Sequence, residues 1–325
     1  MRALLLLNRN AILLAKDKII RTKLPTEGHQ AMTVNVKDFS IDNMPQAVLE
    51  EYGSKTEDPR LREIMLSLIT HLHSFVKDVK LTEEEWFKAI MFLTAVGQKC
   101  DDKRQEFILL SDTLGVSSLV DSVNHDRSGV GTENTVLGPF YVPGSPEKKM
   151  GDSIVQKATE KGVTAVINGT VIDKNGNPVA GAVLDVWQSS SEGFYHMQDE
   201  NMPEFNLCGR FTTGADGKYI FVTEKPAAYP VPTDGPVGEM LRACGRHPMR
   251  PGHLHFIITA PGYDRLVTHI FTNEDEYLDS DAVFATKSSL VGEYKETHDE
   301  ELARELNIKS PFQKVDFDFT LMSSK

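Results

Sequence analysis

The sequence predicts a mixed, mainly β fold, in which an N-terminal α-helical domain precedes an antiparallel β-sandwich domain. Two patterns predict it. Before about residue 125, apolar residues recur at spacings of three and four, as on one face of a helix. After Gly129, glycine, proline and asparagine become frequent and apolar residues alternate with polar ones, as in strands with one buried face. The 325 residues are enough for both domains to bury a core, and we place the boundary near residues 129–146.

The predicted helices lie in the first part of the chain. The apolar stripe Leu61–Val76 predicts one helix. Thr82 and Glu85 form a capping-box pattern, which predicts that a second helix begins there. A third helix is expected over Lys103–Leu110, and Gly115 follows where that helix can end.

The second part of the chain predicts short strands separated by turns. The segment Lys174–Pro178, for example, contains Asn-Gly, a pair typical of tight turns between strands. Regular turn signals between short strands are typical of a β-sandwich. The expected strands are Thr164–Ile172, Val183–Trp187, Arg210–Thr213, Tyr219–Val222, Leu254–Thr259, Leu266–Phe271 and Val315–Leu321.

Charge and cysteine content narrow the possible classes of protein. The formal net charge of −12 argues against nucleic acid as a general partner, because phosphate binding needs clustered Lys and Arg. The three cysteines, Cys100, Cys208 and Cys244, are far apart and form no CxxC pair. They predict neither a disulfide framework nor a cysteine-built zinc site. A reducing, cytosolic compartment is therefore expected.

The first 35 residues are expected to form an arm outside both domains. Up to Lys23 this stretch is rich in Lys and Arg and contains a single acid, Asp17. Its apolar run Ala3–Leu7 is too short for a secretory signal or a membrane span. Organelle targeting is the alternative interpretation, although transit peptides are usually richer in serine. The expected parts are thus an arm at 1–35, a helical domain at 36–130 and a β-sandwich domain at 131–325.

The motif Arg250–Phe256 contains the first candidates for chemistry. If it enters a strand, His253 and His255 point to the same face and are placed to share a metal ion. The alternative is two unrelated polar residues on an exposed strand. A carboxylate is the usual third ligand beside two histidines. The nearby Asp216 and Asp264 stand in turn signals, which predict solvated loops instead.

Two tyrosines are further candidates. Tyr195 follows a predicted strand in the segment Glu192–His196. Tyr229 lies in Ala227–Pro232, which is too proline-rich for a central strand. Taken alone, a tyrosine is more often a packed aromatic with a bonded hydroxyl than a metal ligand.

Together with Leu137–Tyr141 and the strand Gly181–Trp187, these segments resemble the intradiol ring-cleavage dioxygenases, the family of catechol, chlorocatechol and hydroxyquinol 1,2-dioxygenases. The resemblance covers about residues 40–310. It implies that one Fe(III) is bound by Tyr195, Tyr229, His253 and His255. The chemistry agrees, because two phenolates and one hydroxide cancel the three charges of the ion. The centre is then neutral in a partly apolar pocket.

The resemblance also implies a reaction. Both oxygens of a diol bind the iron, hydroxide and the Tyr229 phenolate take up the two protons, and O2 is inserted between the hydroxyl-bearing carbons. Arg250 is implied to be catalytic by stabilising negative charge on the ring; a surface ion pair is its alternative role. The implied substrate-binding residues are Gly138, Pro139, Phe140, Val231, Pro232 and Arg250.

Three segments resemble the hydroxyquinol branch of the family: Arg104–Asp112, Thr268–Phe271 and Tyr277–Phe284. They favour hydroxyquinol (benzene-1,2,4-triol) as the substrate and maleylacetate as the product. Catechol or chlorocatechol, giving cis,cis-muconates, is the alternative. His269 stands where the catechol enzymes carry glutamine. It is expected either to be a hydrogen-bond donor beside the iron or to pack in its strand.

The resemblance further implies a homodimer formed through the helical domain, with a phospholipid bound between the subunits. The stripe Leu61–Val76 can serve that interface or the core of a helical bundle. Two other classes of protein stay open at this point. One is a zinc or ferrous enzyme that uses His253 and His255 with a carboxylate. The other is a non-enzymatic β-sandwich binding module.

Overall fold

The computed structural model describes residues 38–324 except 103, 126 and 128. The predicted arm at 1–35 lies outside the described residues, as does Lys103, the predicted first residue of the third helix. The chain separates into two compact units, of which one ends at Thr82 and the other begins at Glu83.

The first unit contains the helices α1 (Met44–Lys55) and α2 (Pro59–Val79). The start of α2 is fixed by Asp58, whose side chain accepts a 2.7 Å hydrogen bond from the Leu61 amide, and by proline in the first turn. The predicted apolar stripe lies within α2. Among the α2 residues only Ile69 is buried, so that most of the stripe is exposed.

The helices of the second unit are α3 (Glu83–Gln98), α4 (Glu106–Thr113), α5 (Val116–Asn124), α6 (Pro236–Ala243) and α7 (Glu300–Glu305). α3 begins directly after Thr82, where the capping-box pattern predicts a start. Gly115 has a φ of +73° and lies between α4 and α5, so it ends the predicted third helix and precedes one that the sequence does not predict separately. Among the described residues, no helix is long and apolar enough to cross a membrane.

The second unit also contains strands. They are β1 (Thr164–Asp173), β2 (Val183–Gln188), β3 (Cys208–Thr212), β4 (Lys218–Glu224), β5 (Tyr229–Pro230), β6 (Met249–Arg250), β7 (His253–Thr259), β8 (Leu266–Thr272), β9 (Val291–Gly292), β10 (Lys295–Thr297), β11 (Phe312–Asp316) and β12 (Phe319–Leu321). Two sheets contain most of them: one has the strand order β10-β11-β1-β12, with β4 also paired to β1, and the other has the order β3-β2-β7-β8-β9. β5 and β6 form a separate ribbon.

The main hydrophobic core lies between these two sheets. The first sheet contributes Phe221 and Phe319, and the second contributes Leu184 and Phe256, all of them fully buried. The predicted fold, a helical region followed by a β-sandwich, is confirmed. Most neighbouring strands are antiparallel, as predicted, but β1–β11, β1–β12 and β8–β9 are parallel pairs.

Alternation along β7 places the two histidines of the Arg250–Phe256 motif. Leu254 and Phe256 point into the core between the sheets. Because successive strand residues point to opposite faces, His253 and His255 point away from that core. The functional site is therefore expected on this outer face of the second sheet.

Candidate metal centre

The pairing register brings three ring side chains into a row on the outer face. Trp187 of β2 and His269 of β8 stand directly opposite His255 of β7. Trp187 stacks on the His255 ring, with ring centroids 4.6 Å apart and an interplanar angle of 11°. His269 Nε2 lies 2.8 Å from His255 Nδ1. The His255 ring is therefore held on one face and at one nitrogen.

Two further segments bring the predicted tyrosines to this row. Tyr195 follows a tight turn at Gly193, where φ is +85° and an added Cβ would lie 3.1 Å from the Tyr229 Cβ. Tyr229 lies in β5 and stands opposite Arg250 of β6. Both tyrosines are almost fully buried. Glycine at this turn thus permits the two tyrosine segments to approach each other.

The donor atoms of the four predicted metal ligands lie close together. The Tyr195 hydroxyl oxygen lies 2.8 Å from His255 Nε2 and 3.0 Å from the Tyr229 hydroxyl oxygen. His253 Nε2 lies 3.4 Å from the Tyr229 hydroxyl oxygen and 3.2 Å from His255 Nε2. Donors bound at about 2 Å to one ion lie about 3 Å from each other. The cluster therefore has the dimensions of a single-ion site.

Hydrogen bonds on the far side of each imidazole leave its Nε2 available to a metal. His253 Nδ1 lies 2.7 Å from the Pro251 carbonyl oxygen, which can only accept, so Nδ1 carries the proton and Nε2 a lone pair. His255 Nδ1 is bonded to His269 instead. Such contacts set the tautomer and orientation of metal-bound histidines. Two phenols and two imidazoles thus form a donor set that fits a non-haem iron ion.

His269 is not placed to bind the same ion. Nitrogen atoms of His253, His255 and His269 lie within 4.8 Å of one another, a spacing that by itself allows a three-histidine site. His269, however, faces Nδ1 of His255, on the opposite side of that ring from the nitrogen that faces the tyrosines. His269 therefore lies beside the centre, as the first of its two predicted roles requires, but it is placed to accept the hydrogen bond of a metal-bound His255 and not to donate one.

Burial governs the protonation of the cluster. It raises the pKa of Tyr195 well above 10, an effect to which Tyr229 adds. Burial and, secondly, Arg250 lower the pKa of His253 to about 3. Burial also lowers the pKa of His255, with His253 adding to the effect. At neutral pH the two imidazoles are therefore uncharged, as metal binding requires, whereas a bound cation would favour loss of the phenol proton.

Arg250 is buried beside the cluster, and Asp281 balances its charge. The Arg250 Nη1 lies 3.4 Å from the Tyr229 hydroxyl oxygen and 3.2 Å from His253 Nε2. Its Nε donates to Asp281 Oδ1 at 3.1 Å. Burial opposes both charges, but their attraction outweighs it, raising the pKa of Arg250 and lowering that of Asp281. The alternative role of Arg250 as a surface residue is therefore wrong.

Sequence reasoning does not find two residues of this site. Asp281 gives no signal beyond being a carboxylate in the segment Tyr277–Phe284, and it lies 31 residues from Arg250 along the chain. The sequence identifies Trp187 only as the apolar last residue of a predicted strand. Both reach the site through tertiary packing, which a local pattern does not record.

The predicted substrate-binding segment around Gly138 reaches the cluster. Phe140 stacks on Tyr195, with ring centroids 4.4 Å apart. Gly138 has a φ of +76°, and an added Cβ would lie 3.1 Å from His255 Cε1. This segment therefore contacts both a tyrosine and a histidine of the cluster.

The other predicted wall residues differ in burial. Val231 is buried in an apolar cluster with Phe271 and Val283. Pro232 is half-buried, whereas Pro139 is exposed. Their contact with substrate stays a prediction.

Family comparison covers both parts of the chain. Residues 136–323, more than half of the chain, match a family described as dioxygenase, and residues 58–131 match the catechol dioxygenase N terminus. A hydroxyquinol 1,2-dioxygenase from Rhizobium sp. (strain MTP-10005) is 51% identical over 267 residues, which are 82% of this chain and 90% of that protein. The chain belongs to the family of intradiol ring-cleaving dioxygenases.

Other intradiol dioxygenases show the same likeness. The catechol 1,2-dioxygenase of Candida albicans (strain SC5314 / ATCC MYA-2876) is 39% identical over 81% of this chain and 86% of that protein. The solved structure of the hydroxyquinol 1,2-dioxygenase from Pseudomonas putida DLL-E4 matches with a TM-score of 0.83 and 48% identity, over 87% of this chain and 99% of that one.

These likenesses confirm the predicted family and, with it, an oxidoreductase that cleaves aromatic diols with O2. Intradiol dioxygenases generally use non-haem iron, which the donor set of this chain fits. The open alternative of a non-enzymatic binding module is therefore wrong.

Proposed function

We propose that the four converging side chains bind a ferric ion and that this dioxygenase cleaves hydroxyquinol to maleylacetate. The proposed ligands are Tyr195, Tyr229, His253 and His255. The observation that carries the proposal is the convergence of two phenol oxygens and two imidazole nitrogens at separations of 2.8 to 3.4 Å. Phenolates are hard anionic donors and favour the ferric state, whereas two histidines and a carboxylate are the usual donors to Fe(II).

The residues of the chain have separate tasks in the proposed reaction. A bound ferric ion would hold both diol oxygens and activate the ring toward O2. The Tyr229 oxygen accepts a proton from one diol hydroxyl. The Arg250 Nη1, 3.4 Å from that oxygen, stabilises negative charge that develops on the ring. Phe140, stacked on Tyr195, covers the cluster with an apolar surface that helps to exclude water.

The relatives support hydroxyquinol as the substrate. The two hydroxyquinol 1,2-dioxygenases are 51% and 48% identical to this chain, and the catechol 1,2-dioxygenase of Candida albicans is 39% identical. Cleavage of catechol or chlorocatechol to cis,cis-muconates is the second candidate function, favoured by that third relative.

Oxygen uptake by the iron-replete protein tests the substrate. We expect kcat/KM to be about tenfold or more higher with hydroxyquinol than with catechol, because a site that pairs a third hydroxyl discriminates against a diol lacking it. We expect little uptake with protocatechuate. Faster turnover of catechol would show that hydroxyquinol is the wrong substrate, but it would not affect the proposed iron site. Absence of uptake with every diol would contradict the proposed function as a whole.

A matched pair of tyrosine variants tests the metal ligands. Tyr195→Phe removes a phenol oxygen from the cluster, so we expect loss of most bound iron and of the visible charge-transfer band of ferric tyrosinate. Tyr219→Phe is the control, because Tyr219 is equally buried but donates its hydroxyl hydrogen bond to the Phe317 carbonyl in the core. We expect this control to keep its iron and its band. Full iron and full activity in Tyr195→Phe would exclude Tyr195 as a ligand.

We also propose a homodimer that forms through the helices. The support is a row of large apolar side chains exposed on α2, among them Leu68, Leu72 and Phe75, each about half exposed. Exposed apolar surface of this extent marks an interaction site in soluble proteins. The bound phospholipid implied by the family resemblance stays a prediction.

A further inference from the structure

Arg250 is held at one edge of its guanidinium and presents the other edge to the metal centre. Its Nε and Nη2 donate to the two carboxylate oxygens of Asp281, at 3.1 and 3.4 Å. Its Nη1 faces the Tyr229 hydroxyl oxygen and His253 Nε2. The Arg250 and Asp281 side chains are only 4% and 2% exposed. Asp281 thus determines the direction in which the free edge of the guanidinium points.

Asp281 is itself fixed by the loop that follows it. The Val283 amide donates to Oδ1 at 3.2 Å, and the Ala285 amide donates to Oδ2 at 3.0 Å. The Phe284 amide donates to the Asp281 carbonyl oxygen at 3.0 Å. The loop therefore folds around this carboxylate, whose position is set by the main chain as well as by Arg250.

Neighbouring residues hold this loop in a strained conformation. Phe284 has a φ of +56°, which is unusual for a bulky side chain and persists only where the surroundings determine it. The Arg246 guanidinium lies over the Phe284 ring, 4.5 Å from its centroid. Arg246 also donates to the carbonyl oxygens of Ala282, at 3.2 Å, and Thr113, at 2.6 Å. The loop is thus tied to the end of α4 on one side and to Arg250 on the other.

Charge balance gives Asp281 a second effect on the centre. Arg250 and Asp281 together carry no net charge, and both are buried. With Asp281 neutralised, the guanidinium beside the metal ligands would lose the carboxylate that it is bonded to and would be free to turn toward other acceptors, such as the nearby Asp112 carboxylate. A group that stabilises a transition state must be held in place before the reaction, so either change lowers its contribution.

We propose that Asp281 is a positioning residue for diol cleavage, which holds the Arg250 guanidinium with Nη1 toward the reacting ring. The side-chain hydrogen bonds of Asp281 go to Arg250 and to its own loop, not to the four proposed ligands, so it acts through Arg250. This inference rests on the proposed function, because Arg250 can act only on a diol bound at the cluster. It adds to that function the residue that determines where the catalytic cation lies.

A double-mutant cycle on the iron-replete protein tests the inference. For Asp281→Asn we expect kcat with hydroxyquinol to fall about 10- to 100-fold, as for other residues that orient a catalytic group. Iron content and the visible charge-transfer band stay as in the wild type, and KM changes less than kcat. For Arg250→Gln we expect a larger fall. The variant that combines both substitutions should match Arg250→Gln within about twofold, because it has no guanidinium left to orient.

Asp279→Asn is the matched control. It removes the same charge from the same segment, but Asp279 is exposed, so we expect the kcat of the wild type. Wild-type kcat in Asp281→Asn would overturn the inference, as would a combined variant in which the two losses multiply. If Asp281→Asn does not fold, the combined variant, which has no unpaired buried charge, is compared with Arg250→Gln: equal kcat supports the inference, and a lower kcat overturns it. An iron-replete wild type that cleaves no diol would instead overturn the proposed function.

Discussion

At the scale of single residues, the site depends on close approaches that only small side chains permit. Gly138 has a positive φ, and a Cβ there would lie 3.1 Å from Cε1 of the His255 ring. For Gly138→Ala we therefore expect displacement of His255 and a fall in kcat of about a hundredfold, the loss typical of a catalytic group moved by about 1 Å. Diol turnover and iron content, measured on one preparation, check this expectation.

Gly176→Ala is the control for Gly138→Ala. Gly176 has a similar φ of +82°, but an added Cβ there would meet no atom within 4 Å. Alanine in this left-handed conformation costs about 1–2 kcal/mol at either position, so the midpoints of thermal unfolding should fall by similar amounts. Only Gly138→Ala should lose activity. Equal kcat values in the two variants would contradict the importance of the Gly138–His255 contact.

Single residues also show what the sequence could and could not predict about the site. The shared face of His253 and His255 followed from the two-residue period of a strand. The two tyrosines were candidates from the sequence, but only the family resemblance made them metal ligands, because a tyrosine in a loop has no physical signature of a ligand. Asp281 was not predicted, since its link to Arg250 is made by the fold and not by the sequence around it.

At the scale of elements, local patterns predicted strands but not their neighbours. The predicted strand Leu254–Thr259 lies within the observed β7, and the alternation along it is correct. Which strands flank β7, and in which register, is decided by packing in the sandwich. The row of Trp187, His255 and His269 across β2, β7 and β8 was therefore not predictable, nor were the parallel pairs. The helices α6 and α7, of eight and six residues, lie among turn signals in the second part of the chain and were not predicted.

The register of β8 against β7 leads to a prediction about His269. If His255 Nε2 binds the metal, its Nδ1 carries a proton, and His269 Nε2 is the acceptor 2.8 Å away. For His269→Leu, which leaves that buried N–H without an acceptor, we expect iron affinity to fall about 10- to 100-fold. His269→Gln offers an amide oxygen and should retain most of the affinity. Iron titration followed by the visible charge-transfer band measures both, and equal losses in the two variants would show that His269 matters only through its volume.

At the scale of the whole molecule, the first unit and the sandwich differ in how far their apolar side chains are buried. The sandwich buries its alternating residues, whereas α2 leaves a stripe at helical spacing exposed. Among the residues of the predicted stripe Leu61–Val76, the exposed large apolar ones are Leu61, Ile64, Leu68, Leu72, Phe75 and Val76. The sequence predicted this stripe but left open whether a helical bundle or a second subunit covers it, since both need the same pattern. Its exposure in the single chain favours a second subunit.

The oligomeric state tests that interpretation. We expect the wild type to be a dimer at micromolar concentration. Leu68→Glu combined with Leu72→Glu places two charges on the stripe, where a single chain tolerates them but an apolar interface does not. The dimer dissociation constant should then rise about a hundredfold or more, which corresponds to about 2.7 kcal/mol.

Ser74→Glu is the control, because it adds a charge to an exposed position of α2 away from the stripe and should leave the dissociation constant unchanged. Sedimentation velocity over a concentration series measures the dimer dissociation constant of the wild type and of both variants. A dimer that both variants leave intact would place the interface elsewhere, and the stripe on α2 would then need a different partner.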